Sequence, residues 1–179
     1  MPLDPVFGRC FSPVFGRPCW NVRPGYGSFI TMEFGEPHLE IREPKQASHG
    51  VSSRVSELLA RRTVTVHGEW HLWIYCCEWS IFNTGRLIGS SDDPSSFESA
   101  TQFLDGQAVT STATESSTTT FTFDLGGTLT TKPFDEKSEQ WMFFQPDGFI
   151  LTLRADGMYC FAPSNPKTQA VEWNPVWQP

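Results

Sequence analysis

Residues 63–82 read TVTVHGEWHLWIYCCEWSIF, the longest apolar and aromatic run in the chain. β-Branched and aromatic residues crowd this run, and no apolar stripe at spacings of three and four leaves a polar face. The pattern therefore predicts a long central strand or a tight pair of strands, around which the other elements are arranged. Gly68 lies inside the run and is the expected position of a bulge or bend, because glycine weakens a regular strand.

Alternation of side chains along a strand divides this run into two faces. The first face is almost wholly apolar and is predicted to point into the core; it carries Val64, Val66, Trp70, Leu72, Ile74 and Cys76. The second face is polar at its start and aromatic afterwards; it carries His67, Glu69, His71, Trp73, Tyr75, Cys77, Trp79 and Ile81. A run that becomes apolar on both faces indicates a central strand covered by a helix or by a second sheet.

The composition favours a β protein. The chain of 179 residues contains 15 Phe, 7 Trp, 14 Gly and 14 Pro, which indicates an aromatic core and many turns. We predict one mostly β or α+β domain over residues 20–179, with an antiparallel twisted sheet or a two-sheet sandwich and two short helices packed on one side. The helices are predicted over residues 51–62, which carry an apolar stripe, and between the capping residue Asp93 and Gly106.

The first 19 residues contain an exact repeat, PVFGR, at positions 5–9 and 13–17. Two short copies are too few for a repeat architecture, so we expect residues 1–19 to form an irregular N-terminal arm. In the simpler hypothesis Phe7 and Phe15 dock on the domain. In the alternative the arm engages a partner.

The C-terminal third is predicted to be an antiparallel meander. Its strands are expected at residues 140–144, 149–154 and 158–161, and Asp-Gly pairs supply the tight turns between them. The tail from Ala162 is rich in proline and carries Trp173 and Trp177. We therefore expect it to wrap over the sheet without adding a strand.

Charge and cysteine content restrict the expected partners and location. A net charge of −7 opposes non-specific binding to nucleic acid or to an anionic membrane surface, whereas it is compatible with a basic protein partner. Five cysteines, an odd number that includes the adjacent Cys76 and Cys77, are expected to be reduced, buried thiols. Since the chain has no run of about 18 apolar residues and its N-terminus lacks the features of a signal peptide, we expect a cytoplasmic protein.

His67, Glu69 and His71 form the one constellation of potential metal ligands in the sequence. Two imidazoles and a carboxylate bind zinc or iron, and alternation places these three side chains on one face of a strand. On a regular strand, however, His67 and His71 are too far apart to chelate one ion unless Gly68 bends the backbone. A metal-dependent enzyme is therefore one functional hypothesis. Without the bend, this segment is an exposed polar strand end and no cofactor is implied.

Trp73, Tyr75 and Trp79, together with Trp141, would line an aromatic groove if the second face of the run were uncovered, and would form core if it were covered. No motif fixes a reaction. The leading hypothesis is therefore a non-enzymatic interaction protein that binds another protein, with a basic partner favoured by charge; an inhibitor or immunity role would fit the small size and acidity. A small-ligand-binding β domain with an aromatic pocket is a further alternative.

Overall fold

Fourteen strands form three antiparallel sheets in the structure, a computed structural model that describes residues 5–165 and 171–177. Two larger sheets pack as a sandwich, and a two-stranded ribbon stands beside them. Three short α-helices and two 3₁₀ helices, Ser12–Val14 and Pro94–Ser96, complete the described elements. The predicted mostly β, antiparallel class is confirmed.

One sheet of the sandwich has seven strands and is called the larger sheet. Its strands lie in the order β1 (Cys19–Pro24), β2 (Ile30–Phe34), β5 (Trp70–Ile74), β11 (Glu139–Phe144), β12 (Phe149–Arg154), β13 (Met158–Pro163) and β14 (Asn174–Pro175). The second sheet has the order β7 (Arg86–Ser90), β6 (Cys77–Asn83), β10 (Gly127–Pro133), β9 (Thr118–Phe123) and β8 (Val109–Glu115). The ribbon pairs β3 (His38–Arg42) with β4 (Thr63–His67). The helices are α1 (Pro5–Phe11), α2 (Ser53–Leu59) and α3 (Phe97–Leu104).

The run at residues 63–82 supplies one strand to each of the three sheets: β4 to the ribbon, β5 to the larger sheet and β6 to the second sheet. The first break lies at Gly68, where the sequence predicts a bend. The second lies at Tyr75–Cys77, where the Cys77 amide donates to the Tyr75 carbonyl oxygen at 3.0 Å. Each break allows the chain to leave one sheet and enter the next.

These breaks correct the predicted faces of the run. Trp70, Leu72 and Ile74 are buried as expected, whereas Val64 and Val66 are exposed because β4 belongs to the ribbon and not to the sandwich. After the second break the alternation of buried and exposed residues shifts by one position. Cys77, Trp79 and Ile81 therefore point into the core, and Cys76 is half-buried.

Helix α1 fills the space between the two larger sheets. Phe11 stacks on Phe143 of β11, with ring centroids 4.6 Å apart, and its edge meets Phe121 of β9 at 5.7 Å. The first 19 residues, expected to be irregular, therefore include a core helix; Phe7 docks as expected, and Phe15 stays partly exposed.

The two other helices differ in packing. Helix α3 buries Ala100, Thr101 and Leu104, whereas α2 buries no residue, although both were expected to pack on the domain. Neither these helices nor α1 is long and apolar enough to cross a membrane, for the residues described.

The C-terminal meander is present as β11, β12 and β13. The expectation that the tail adds no strand is wrong, because β14 pairs with β13. Trp177 and the buried Val176 pack with the core, whereas residues 166–170 of the tail lie outside the described part.

All five cysteines are unpaired, and four of them are buried. Burial raises the pKa of Cys19 and Cys77 to about 12, so neither thiol is poised as a nucleophile.

Candidate metal centre

Three side chains from separate strands meet where the ribbon joins the larger sheet. Glu33 comes from β2, His67 from the end of β4 and His71 from β5. Glu33 and His71 are direct cross-strand neighbours in the antiparallel pair of β2 with β5. His67 reaches the same point because the chain turns at Gly68, which brings the two imidazole rings to a centroid distance of 5.6 Å.

One carboxylate oxygen of Glu33 lies within hydrogen-bonding distance of both imidazole rings. Glu33 Oε1 lies 2.8 Å from His71 Nδ1 and 3.1 Å from His67 Nδ1. The other oxygen, Oε2, accepts the Gly68 amide proton at 3.0 Å. One ligand atom from each of the three side chains lies within 4.8 Å of the others. The arrangement is that of a compact chelating set held by backbone and side-chain hydrogen bonds.

Close packing of the backbone fixes this geometry. A Cβ atom at position 68 would overlap the carbonyl oxygen of Phe34 and lie 2.9 Å from its amide nitrogen. Only glycine therefore allows the β4–β5 turn to lie against β2. The same close approach lets the Gly68 amide reach the Glu33 carboxylate.

The Glu33 carboxylate is ionised although its residue is only 1% exposed. Burial alone would raise the pKa of Glu33, but the hydrogen bond and charge of His71, the Gly68 amide and the charge of His67 together hold this pKa below its usual value. An ionised carboxylate only accepts hydrogen bonds, so in the metal-free protein each imidazole presents its proton on Nδ1.

A cavity of about 560 Å³ opens beside the three side chains. The side chains of His67 and His71 are 27% and 20% exposed and form part of its wall. The rest of the wall combines charged groups of the ribbon with aromatic groups of the sheet: His38, Glu40, Arg42, Glu69, Trp73, Phe144 and neighbouring residues. The site is thus accessible to a small molecule from one side and closed by protein on the other.

The structure brings together two of the three predicted metal ligands. His67 and His71 converge, but Glu69 does not belong to the compact set. Its carboxylate accepts the Glu36 amide at 3.2 Å and lies 3.6 Å from the Arg17 guanidinium. The carboxylate of the set is Glu33, which the sequence analysis missed. Its signal is a single charged residue within the stretch FITMEF at residues 29–34, where Thr31 is the other polar residue.

The predicted aromatic groove does not form. Trp79 and Trp141 are 1% and 0% exposed and belong to the sandwich core, where their indole N–H groups donate to Ser28 and Thr119. Trp73 and Tyr75 are half-buried on the other side of the sheet, with ring centroids 4.7 Å apart. Of the four residues, Trp73 alone lines the cavity.

No known protein family, curated protein or solved structure matches this chain. What the arrangement can do must therefore follow from its chemistry. Two imidazoles and a buried carboxylate beside an open cavity can hold a divalent metal ion, with further coordination positions directed to the cavity.

Proposed function

We propose that Glu33, His67 and His71 bind one divalent transition metal ion, zinc or ferrous iron, and that the protein acts through this ion on a small molecule that enters the adjacent cavity. The observation that carries the proposal is the convergence of the three ligand atoms within 4.8 Å around a buried, ionised carboxylate. Two imidazoles and one carboxylate are a ligand set used by catalytic zinc and by non-haem iron.

The separations between the ligand atoms suit such an ion. Metal–ligand bonds of about 2.1 Å in a tetrahedral site place neighbouring ligand atoms about 3.4 Å apart. The distances from Glu33 Oε1 to His71 Nδ1 and to His67 Nδ1 are 2.8 and 3.1 Å. Both distances are a few tenths of an ångström shorter than this spacing, and the ligand atoms of the two imidazoles lie within 4.8 Å of each other. To bind the ion through Nδ1, a neutral imidazole would carry its proton on Nε2 instead, and an imidazolium would have to lose one proton, so metal binding is expected to weaken as pH falls.

Three protein ligands leave at least one coordination position for water or for a donor atom of the bound molecule. A metal ion there would polarise a bound oxygen or lower the pKa of bound water. Trp73 and Phe144 give the cavity aromatic wall surface, while Arg42 and Glu40 supply charged groups. These features support a small polar molecule with an apolar portion as the ligand. The metal-dependent enzyme and the small-ligand-binding domain, which are separate hypotheses from the sequence, would then share one site.

Metal binding is tested on the purified protein, first by elemental analysis and then by calorimetric titration of the metal-stripped chain with Zn²⁺ or, without oxygen, with Fe²⁺. We expect one ion per chain. His71→Ala and Glu33→Gln should each weaken binding by at least about 100-fold, because each removes a direct ligand and not merely a supporting group. His49→Ala is the matched control, since His49 lies in an exposed turn and belongs neither to the three-ligand set nor to the cavity wall. Unchanged affinity in a folded Glu33→Gln variant would contradict the proposal.

The open coordination position is tested with Co²⁺ in place of the native ion. We expect the visible absorption spectrum of the Co²⁺ protein to change when azide is added, because azide can enter a vacant or water-occupied position. A spectrum that azide leaves unchanged would indicate a closed structural site and would remove the catalytic part of the proposal.

A further inference from the structure

Glu40 lies beside the three proposed metal ligands but does not belong to their compact set. It comes from β3 of the ribbon, two positions after His38, which is the cross-strand partner of His67. Glu40 and His67 are therefore diagonal neighbours on the side of the ribbon that lines the cavity. The side chain of Glu40 is 42% exposed, so it forms part of the cavity wall and not of the core.

Each oxygen of the Glu40 carboxylate faces a different group. Oε1 accepts a hydrogen bond from Arg42 Nε at 2.8 Å. Oε2 lies 3.5 Å from Nε2 of His67. Arg42 and Glu40 are on the same strand and the same side of it, because side chains two positions apart point the same way. Arg42 thus holds the carboxylate by one oxygen, and the other oxygen is directed at the imidazole.

His67 lies between two carboxylates, one at each ring nitrogen. Glu33 Oε1 is 3.1 Å from Nδ1, and Glu40 Oε2 is 3.5 Å from Nε2. In the metal-free protein Nδ1 donates its proton to Glu33, and a neutral ring then carries no proton on Nε2. The longer distance at Nε2 agrees with this tautomer, because N–H···O hydrogen bonds usually span about 2.7–3.2 Å.

Metal binding through Nδ1 reverses this proton arrangement. When Nδ1 donates its lone pair to the ion, a neutral ring carries its proton on Nε2. The acceptor that Nε2 then faces is Glu40 Oε2, and a carboxylate oxygen forms a strong, charge-assisted hydrogen bond. Imidazoles that bind a metal commonly donate their other N–H to a carboxylate, which fixes the tautomer and the orientation of the ring and raises its basicity.

We propose that Glu40 is a positioning residue of the metal centre: its carboxylate accepts the Nε2 proton of His67 and holds that imidazole in the tautomer and orientation in which Nδ1 binds the ion. This inference rests on the metal site proposed above and adds to it a residue that does not touch the ion. Since Glu40 comes from β3 and His67 from β4, the ribbon supplies both a ligand and the group that orients this ligand.

Calorimetric titration of the metal-stripped full chain with Zn²⁺ tests this role. Glu40→Ala should weaken zinc binding about 10- to 100-fold, as the loss of such a partner does. Glu40→Gln keeps an acceptor oxygen without the charge and should recover part of the loss. Glu69→Ala is the matched control: its side chain is 39% exposed in the same cavity wall, but its carboxylate contacts the Glu36 amide and Arg17 instead of an imidazole. It should weaken binding less than about threefold, because salt and solvent screen an exposed charge.

Heteronuclear NMR spectra of the imidazole rings separate positioning from a general structural effect. In the zinc-loaded wild type, His67 should be bound through Nδ1 and should show a slowly exchanging Nε2 proton. Glu40→Ala should speed the exchange of this proton with solvent, while the urea midpoint of the metal-free variant stays unchanged, because the exposed Glu40–Arg42 pair contributes little to stability.

Two results would overturn the role of Glu40 and leave the proposed metal site standing. One is zinc binding that Glu40→Ala weakens no more than Glu69→Ala does. The other is a His67 ring bound to zinc through Nε2. A wild-type chain that binds no zinc would overturn both the metal site and this inference.

Discussion

At the scale of single residues, Gly68 determines whether the three ligands meet. Its backbone lies against Phe34 so closely that a Cβ atom would overlap the Phe34 carbonyl oxygen. We expect Gly68→Ala to lower the free energy of unfolding by about 1–3 kcal/mol, as overpacking against backbone does. It should also weaken zinc binding by at least tenfold, since Glu33 on the displaced strand adjoins Phe34. Urea unfolding and calorimetric titration measure the two effects.

Gly8→Ala makes the same chemical change where the structure has room. Gly8 lies in α1, and a Cβ atom there would have no neighbour within 4 Å. Alanine has the higher helix propensity, so this control should be neutral or stabilising by up to about 1 kcal/mol. If Gly68→Ala proved equally mild, the close approach of the β4–β5 turn to β2 would not be what positions the site.

At the scale of elements, two identical sequence repeats have different structural roles. Phe7 and Phe15 occupy equivalent positions in the two PVFGR copies. Phe7 is buried in α1, with its ring 5.5 Å from Trp141 and 5.6 Å from Tyr159, whereas Phe15 is 38% exposed. We expect Phe7→Ala to cost about 3–5 kcal/mol of unfolding free energy. Phe15→Ala should cost less than about 1 kcal/mol.

Chemical denaturation of both variants, followed by tryptophan fluorescence, checks this difference. The pair is internally controlled, because the two substitutions and their local sequences are the same. Equal costs would mean that α1 does not contribute to the core between the sheets.

Particular elements also show which features of the fold and of the site the sequence alone could predict. Alternation in the run at residues 63–82 correctly placed Trp70, Leu72 and Ile74 in the core, because these residues form one uninterrupted strand. It failed for Val64, because a periodic pattern does not reveal that a chain leaves one sheet for another at a glycine. Local spacing identified His67 and His71, which are close in sequence. It missed Glu33, because the pairing of β2 with β5, which places Glu33 beside His71, is not visible in local spacing.

At the scale of the whole molecule, lowering the pH has two opposite effects on the stability of the fold. One acts through the net negative charge and the other through buried carboxylates such as that of Glu33. The net charge of −7 at pH 7 falls toward zero near the isoelectric point of about 5.0. Lowering the pH over this range therefore reduces repulsion among surface carboxylates and should stabilise the fold slightly. Below this range the carboxylates that the folded state stabilises as anions begin to bind protons, and stability is lost.

Glu33 should dominate the loss at acid pH in the metal-free protein. Its pKa in the folded state is lowered, so its stabilising contribution is complete above the unfolded value of about 4.3 and disappears as pH falls through the lower folded value. We expect wild-type unfolding free energy to be greatest near pH 5 and to decline below about pH 4.5, with a shallower decline in Glu33→Gln. Urea titrations across this pH range measure both curves.

Asp156→Asn provides the comparison for this pH dependence. Asp156 also has a lowered pKa, owing first to its hydrogen bond with Arg154, but the pair lies at the surface, where solvent screens it. Removing the Asp156 charge should change the decline of unfolding free energy at acid pH much less than Glu33→Gln does. The reason is that Glu33 is enclosed and accepts hydrogen bonds from the ribbon and the larger sheet together. Equal slopes in the two variants would mean that the three-residue cluster contributes no more to global stability than an exposed ion pair.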